Sequence, residues 1–570
     1  MALSLNAEQK NLSNLFTGRE QFVIPSYQRP YSWEFDQCQK LYDDIVAAYN
    51  EKRDYFIGNI ILAVSDDTKQ DPRVVDGQQR LISIWLMFKA LSVILPNTRI
   101  LKDVLCCYNW DGSDSIIKID SKVFEVTDQT HLSAIYAWTS SNFEMEKENS
   151  KSKKAHKDWN QIFANGVYFY NLFYDFHTTF GDKELMLFLR FMLERVFILP
   201  IELSAADITD AEDKALNIFE TINDRGMNLE DADIFKAKLY NKALNKEEKD
   251  EFINQWVGIK DTCRNLKISI DDLFRYYSHI IRGEESNIKS EISLREFFQS
   301  ADSVLTRKSQ IDVVSDLNHI LDLLTSYNEK KNEKTILASW LQLIDTYTNN
   351  YPRFAVVAYL FHNGFENEEQ LIDTLKKIVR YCYYMGSTTM VKYGIYTIIK
   401  QVSHQLPVDE YYQENVTIDS FNYLGRLKYG YALLAHYLEQ PEAFVYYDTD
   451  RLLTSKDIKY LPTDWKGHDL NEHLDDLGNL AILDHCRVSK KYTEKLKIYA
   501  KTENTELKQF FVEHPNDISY KELRKRSIYK KKLLVSFFSK PSKKCLIREK
   551  VVTFRMVKLN LLLSIFLITK

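Results

Sequence analysis

A chain of 570 residues, 45% hydrophobic and 27% charged, is too long for one core and too apolar for a disordered polymer; domains usually hold about 50–250 residues, which predicts two to four here. The net charge of −5 conceals an asymmetry, because residues 521–570 hold 15 Lys and Arg against 2 Asp and Glu, a basic tail behind an acidic body. Seven scattered cysteines without a C-x-x-C pair exclude a zinc knuckle and fit a reduced, cytoplasmic protein.

In chain order, Met1 to Glu8 lack the basic start and apolar core of a secretory signal. Ile24-Pro25-Ser26-Tyr27-Gln28-Arg29-Pro30-Tyr31-Ser32-Trp33 combines two prolines, three aromatics and Arg29, which predicts a rigid, extended loop. Phe35, Cys38, Leu41, Ile45 and Ala48 recur at helical spacing and predict an amphipathic helix over Glu34–Lys52. The apolar run Phe56 to Val64 predicts a strand, Ser65 to Arg73 a polar turn, and Leu81 to Leu95 a helix. Residues 141–158 are rich in Lys, Glu and Ser and predict an exposed insertion. Phe197 to Leu203 predicts a strand, followed by a helix from near Asp210 that carries Ala215, Leu216, Ile218 and Phe219 inward.

Helical periodicity then dominates residues 230–450, where Gly and Pro are scarce. Its aromatic cluster Tyr381-Cys382-Tyr383-Tyr384 is read as core rather than as a base-stacking platform. Residues 451–540 form a last unit, in which Leu477 to Leu483 predicts a turn entering a short strand and Lys521 to Phe538 a basic helix. The apolar stretch Leu559–Thr569 is shorter than the roughly 20 residues that span a bilayer, so residues 541–570 are read as an extension, not a membrane anchor.

Asp76-Gly77-Gln78-Gln79-Arg80 stands where a strand gives way to a helix. A helix start offers unpaired N–H groups and partial positive charge, which suit a phosphate. There is no GxxxxGK[ST] loop nearby, but the inventory suits phosphoryl chemistry: Asp76 to hold magnesium or orient water, Gln78 and Gln79 to bind oxygens or position a water, Arg80 to pair with phosphate. An Asp76–Arg80 ion pair that merely closes the turn accounts for the same residues equally well. Phe219-Glu220-Thr221-Ile222-Asn223-Asp224-Arg225-Gly226-Met227-Asn228-Leu229 adds a polar turn after a helix, for which a helix cap is the plain alternative.

Taken in order, I-P-x-Y-Q-R-x-Y-x-W, F-x-G-x-I, V-D-G-Q-Q-R-L and F-x-x-I-N-x-R-G-x-x-L resemble the N-terminal domain of GmrSD-type restriction proteins. The resemblance implies a ParB/sulfiredoxin-like α/β domain over about residues 1–240 and an α+β chain overall, with a helical domain over 241–450. It implies a nucleotide site in which Asp76, Gln78, Gln79 and Arg80 act catalytically and Tyr27, Gln28, Arg29, Gly77, Asn223 and Arg225 bind the nucleotide. The implied ligands are a nucleoside triphosphate, with Mg2+, and foreign DNA, modified DNA included; the implied role is anti-phage defence by an NTPase. A homo-oligomer is left open.

Residues 451–540 similarly resemble the family's small ββα HNH-like domain, through Leu477-Gly478-Asn479-Leu480 and the helix Lys491 to Tyr499. The remnant residues are Asp457, Lys459, Pro462 and Asn479. Lys459 stands where the general-base His belongs and Ile458 where the acid belongs, while Arg487-Val488-Ser489 lacks the distal Asn. A cationic lysine is a poor base for activating water. His468, His473 and His485 lie near in sequence but read as ordinary polar-region residues. The expectation is therefore an HNH-like fold with its nuclease activity in question, and the alternative function is a non-catalytic DNA-binding or regulatory protein that works with a separate nuclease.

Overall fold

The computed structural model describes residues 4–541 apart from 67–69, 109–114, 124–127, 151–159, 209, 213, 216–230, 289–290, 301, 386–387, 488–489 and 500. The chain forms two compact units, Met1–Val257 and Gly258–Lys570.

Unit 1 is α+β. Its sheet contains β1 (Ser4–Ala7), β2 (Lys10–Asn11), β3 (Phe22–Ile24), β4 (Tyr55–Ser65), β5 (Arg73–Asp76), β8 (Ile119–Ser121) and β9 (Val196–Ala205), with β6 (Cys106–Tyr108) and β7 (Ser115–Ile117) as a separate hairpin. The order is β1-β9-β4-β5-β3-β8, with β2 also on β9. β4 runs parallel to β9 and antiparallel to β5, and β3 runs parallel to both β5 and β8. The apolar run of β4 faces two layers, as the two-residue strand period requires. Ile60 and Leu62 join the main core, while Ile61 and Ala63 join a smaller cluster with Val75, Ile208, Ala211 and Ala215.

The helix Gln78–Ile94 lies in the main core, 13 of its 17 residues buried. That explains a sequence with no polar face: helices apolar all round are buried all round. The predicted helix over 34–52 is Phe35–Glu51, capped by Glu34 and ended by Lys52 in a left-handed conformation. Residues 208, 210–212, 214 and 215 are helical, and Ala211 and Ala215 point inward; Leu216, Ile218 and Phe219 lie outside the described residues.

The insertion predicted at 141–158 is corrected in its first half. Ser140–Ser150 is a helix whose Phe143 is fully buried, stacked on Tyr170 at 4.8 Å and edge-on to Trp138 at 5.1 Å. One aromatic anchors a segment whose composition is otherwise that of a surface loop.

Unit 2 is mainly helical, and Tyr381, Cys382 and Tyr383 are buried in it. Near its end, β10 (Asp448–Arg451) pairs antiparallel with β11 (Leu480–Leu483), and the helix Tyr492–Tyr499 follows. The second compact unit takes in residues on both sides of position 450. The reason is the helix Tyr520–Phe538, which returns to the helical part: Phe537 stacks on Trp340 at 5.7 Å, and its carbonyl accepts from Arg380 Nε at 3.1 Å. No helix among the described residues is long and apolar enough to cross a membrane.

Candidate functional site

Gly77 caps the buried helix with φ +90° and ψ 9°. A Cβ there would overlap Ile60 Cγ2 and stand 3.1 Å from Ile60 Cβ, so the turn is confined to glycine by conformation and by space. The turn places Asp76 beside Arg29 and Arg80, and the Asp76 carboxylate accepts the Gly77 N–H. Burial nonetheless dominates and raises the carboxyl above its ordinary value, with Arg80, the Gly77 N–H and Arg29 opposing.

The ion pair that would close the turn is not formed. Arg80 donates to the carbonyl of Asn59. Among the described residues no carboxylate lies within 4.0 Å of either Arg80 or Arg29. Gly58, at φ +126° where the β4–β9 register shifts, leaves the space that Arg80 occupies: an added Cβ would lie 3.3 Å from its Nη1.

Both glutamines are buried, but they are engaged differently. Gln79 accepts the N–H groups of Ser32 (2.8 Å) and Trp33 (3.2 Å) and donates to the Pro30 carbonyl (3.1 Å), clamping the proline loop. Gln78 donates to the Arg29 carbonyl (3.0 Å), which orients its amide and leaves Oε1 buried without a partner among the described residues. Gln28 donates to the Val75 carbonyl (2.8 Å). Asn165 holds the same loop through the Trp33 carbonyl (2.7 Å) and the Tyr31 hydroxyl (3.0 Å). The pocket enclosed by Gln28, Arg29, Trp33 and Val75–Arg80 measures about 60 Å³. Water occupies about 30 Å³ in the liquid and whole-ligand pockets run to about 300–1,000 Å³, so this space fits a small group or waters rather than an entire nucleotide.

The preceding residues of the loop, Pro25 to Tyr27, line a cleft of about 690 Å³. Buried Glu212 stands in it, ion-paired to Arg73 at 2.5 Å and accepting from the Tyr27 hydroxyl at 3.4 Å. Burial raises its carboxyl, against Arg73 and Tyr27. Tyr27 therefore faces this cleft, apart from the residues around the small pocket. Glu212 and Arg73 were not singled out from sequence, and a lone acid after a strand carries no signal that would have found them. Asn223 and Arg225 lie outside the described residues.

The ββα arrangement near the C-terminus uses its polar residues for structure. Asp457 accepts from Thr454 N–H (2.7 Å) and hydroxyl (2.9 Å) and from Tyr492 N–H (2.8 Å). Asn479, fully buried, binds the Leu453 N–H (2.7 Å) and the carbonyls of Leu453 (2.9 Å) and Leu474 (3.1 Å). Lys459 is exposed and Pro462 lines a cavity of about 100 Å³. His468 stacks on Tyr520 at 3.6 Å, His473 packs edge-on to the same ring, and His485 bonds Asp484 at 3.0 Å. Among the described residues no three His, Cys, Asp or Glu side chains form a group able to hold a metal.

Comparison with known families assigns unit 1 to a class, the restriction-type defence proteins. Residues 12–240 match the family described as GmrSD restriction endonuclease, N-terminal domain. The matched span takes in the proline loop, the Asp76–Arg80 turn, Glu212, Asn223 and Arg225, and it is this N-terminal part of the chain that is similar to the GmrSD family. The match ends before the ββα region. Among curated proteins none matches the chain.

Proposed function

We propose that the Asp76–Arg80 turn binds and hydrolyses the terminal phosphate of a nucleoside triphosphate, and that this step controls action on foreign or modified DNA in a restriction-type defence system. The observation that carries the reading is Gln78 Oε1, a buried acceptor without a partner among the described residues, in a pocket bordered by Arg29 and Arg80, neither of whose guanidinium groups has a described carboxylate within 4.0 Å. An oriented amide oxygen positions an attacking water, and guanidinium groups stabilise charge on the phosphoryl oxygens. Asp76, its carboxyl raised toward the useful range for a base, accepts the water's proton. The small volume admits the phosphoryl end, with the nucleoside outside it.

Among the described residues that line the pocket Asp76 is the one carboxylate, so it would hold Mg2+ in place of taking the water's proton, the ion usually being held by one or two carboxylates together with substrate phosphates. When bound, that ion would neutralise phosphate charge. Gln79 and Asn165 serve by fixing the loop that carries Arg29.

Phosphate release by the full chain, with and without DNA, tests the proposal; rates for wild type that match those of Asp76→Ala would sink it. The second reading, a regulatory protein working with a separate nuclease, is favoured by the structural use of Asp457 and Asn479 in the ββα region. Magnesium- or manganese-dependent plasmid cutting that is abolished by His468→Ala or His473→Ala would refute that second reading.

A further inference from the structure

The helix Tyr520–Phe538 holds seven Lys and Arg and one Glu. Three of those cations turn inward: Arg526 pairs with Glu506 at 2.6 Å, Lys530 donates to the Leu480 carbonyl at 3.1 Å, and Lys531 binds Asn422 at 2.8 Å. Lys521, Lys525 and Lys532 remain exposed, and helical spacing lines them up on one face with Tyr529. Among the described residues no carboxylate lies within 4.0 Å of the Lys521 or Lys532 ammonium group, although the Lys521 backbone N–H donates to Asp464 at 3.2 Å. Lys525 is only loosely drawn to Glu522, at 3.5 Å.

This face borders an open groove of about 830 Å³, floored by Phe510 and Ile528, with Glu513 and Glu522 also at its margin. Arg524, which bonds Asp476 at 3.4 Å, lines both this groove and a neighbouring cleft of about 520 Å³ whose wall also holds Glu472, Asp475 and Asp476. In that second cleft Tyr423 is 90% exposed, two residues before Gly425 at φ +54° and three before Arg426, which has no carboxylate within 4.0 Å among the described residues. An almost wholly exposed tyrosine gains little from folding.

We infer that these two grooves, joined at Arg524, form a binding track for single-stranded DNA, distinct from the Asp76–Arg80 pocket. Cations along a rim follow a phosphate backbone, while an apolar floor and exposed rings receive unpaired bases. A duplex keeps its bases stacked inside and would leave the apolar floor and Tyr423 without partners. The family match supplies the choice of DNA. Residues 542–570 add seven more Lys and Arg against one Glu, so the chain's own terminus has the wrong charge to fill a cationic groove.

Fluorescence anisotropy of the full chain with labelled single strands, over a salt series and without nucleotide, tests this independently of phosphate hydrolysis. The Lys521→Gln/Lys525→Gln/Lys532→Gln variant is expected to lose about tenfold or more in affinity and to flatten the log-affinity against log-salt slope by about 2, at roughly 0.7 per phosphate contact. The corresponding Lys→Arg triple keeps both. Tyr423→Leu and Tyr529→Leu each cost about five- to hundredfold, whereas the Phe variants retain binding. Unchanged affinity and slope in the Gln triple would overturn the inference. So would tighter binding of a duplex, of a matching RNA strand, or of anionic lipid vesicles.

Discussion

Replacing Gly77 by alanine probes the turn where conformation and packing coincide. A left-handed backbone costs an L-residue about 1–2 kcal/mol. The added methyl also meets Ile60, and overpacking a dense core costs about 1–3 kcal/mol. Together they predict a destabilisation of about 2–5 kcal/mol. Hydrogen–deuterium exchange of the full chain, read on peptides from residues 78–94, should then quicken by about 30-fold to over 1,000-fold, since about 1.4 kcal/mol is a factor of ten. The steric share can be separated, because it depends on Ile60 Cγ2. Adding Ile60→Ala removes that atom and should recover about 1–2 kcal/mol in a double-mutant cycle, although Ile60→Ala alone leaves a cavity worth about 2–5 kcal/mol. Additivity of the two changes within about 0.5 kcal/mol would refute the claim that Ile60 confines this position to glycine.

Phosphate release should fall on acidification along a limb set by Asp76 above the ordinary carboxylate range, and Asp76→Asn should abolish both the limb and the rate. The sign for stability is opposite: a carboxyl raised in the folded state is stabilising when protonated, and that contribution disappears as pH rises from about 3.8 through the folded value, so Asp76→Asn should not destabilise unit 1 at neutral pH in a melting experiment. In unit 2, Asp450 accepts from Lys495 (2.8 Å) and Tyr499, and the Lys495 side chain is 1% exposed. Asp450→Ala should therefore cost about 3–5 kcal/mol in exchange protection of residues 480–483 by stranding a buried cation, and a cost under about 1 kcal/mol would contradict that account. Burial lowers His279 to about 4 and His436 to about 3, so both stay neutral in the fold. Their contribution is complete above the unfolded value near 6.5 and is lost as pH falls toward 4 and 3; His279 alone is worth about 3 kcal/mol. Urea unfolding of unit 2 at pH 7 and pH 5 should show the loss, and His436→Phe, set beside Phe444, should lessen it.

Much of unit 1 was legible because local signals agreed with burial. The apolar run at 56–64, the glycine and polar turn at 76–80 and the all-apolar segment after it can form little else than strand, turn and buried helix. The chemistry of the turn was also legible as a set of residue types. Its division of labour was not: Gln78 and Gln79 are adjacent and identical, yet one clamps Ser32 and Trp33 while the other keeps a bare acceptor, a difference set by residues about fifty positions away. Glu212 was hidden for the same reason, since its partners Arg73 and Tyr27 are distant in sequence. Phe143 shows the converse failure, where composition averaged over a polar stretch conceals one anchoring ring. The tie between the residues on either side of position 450 was not legible, because the helix that makes it starts only at Tyr520.

The burial of helix Gln78–Ile94 on every side has a consequence for how such a domain can diversify. A helix with no solvent face has almost no position at which a substitution is neutral, so the mount of the Asp76–Arg80 turn is nearly frozen against drift. The opposing wall is different. Arg29 and Trp33 are only partly buried, on a loop whose course is held through backbone carbonyls and N–H groups rather than through their side chains. Side chains there can change without releasing the clamps. Ligand preference in proteins built this way is free to vary at the positions of Arg29 and Trp33, while the turn that faces them stays constant.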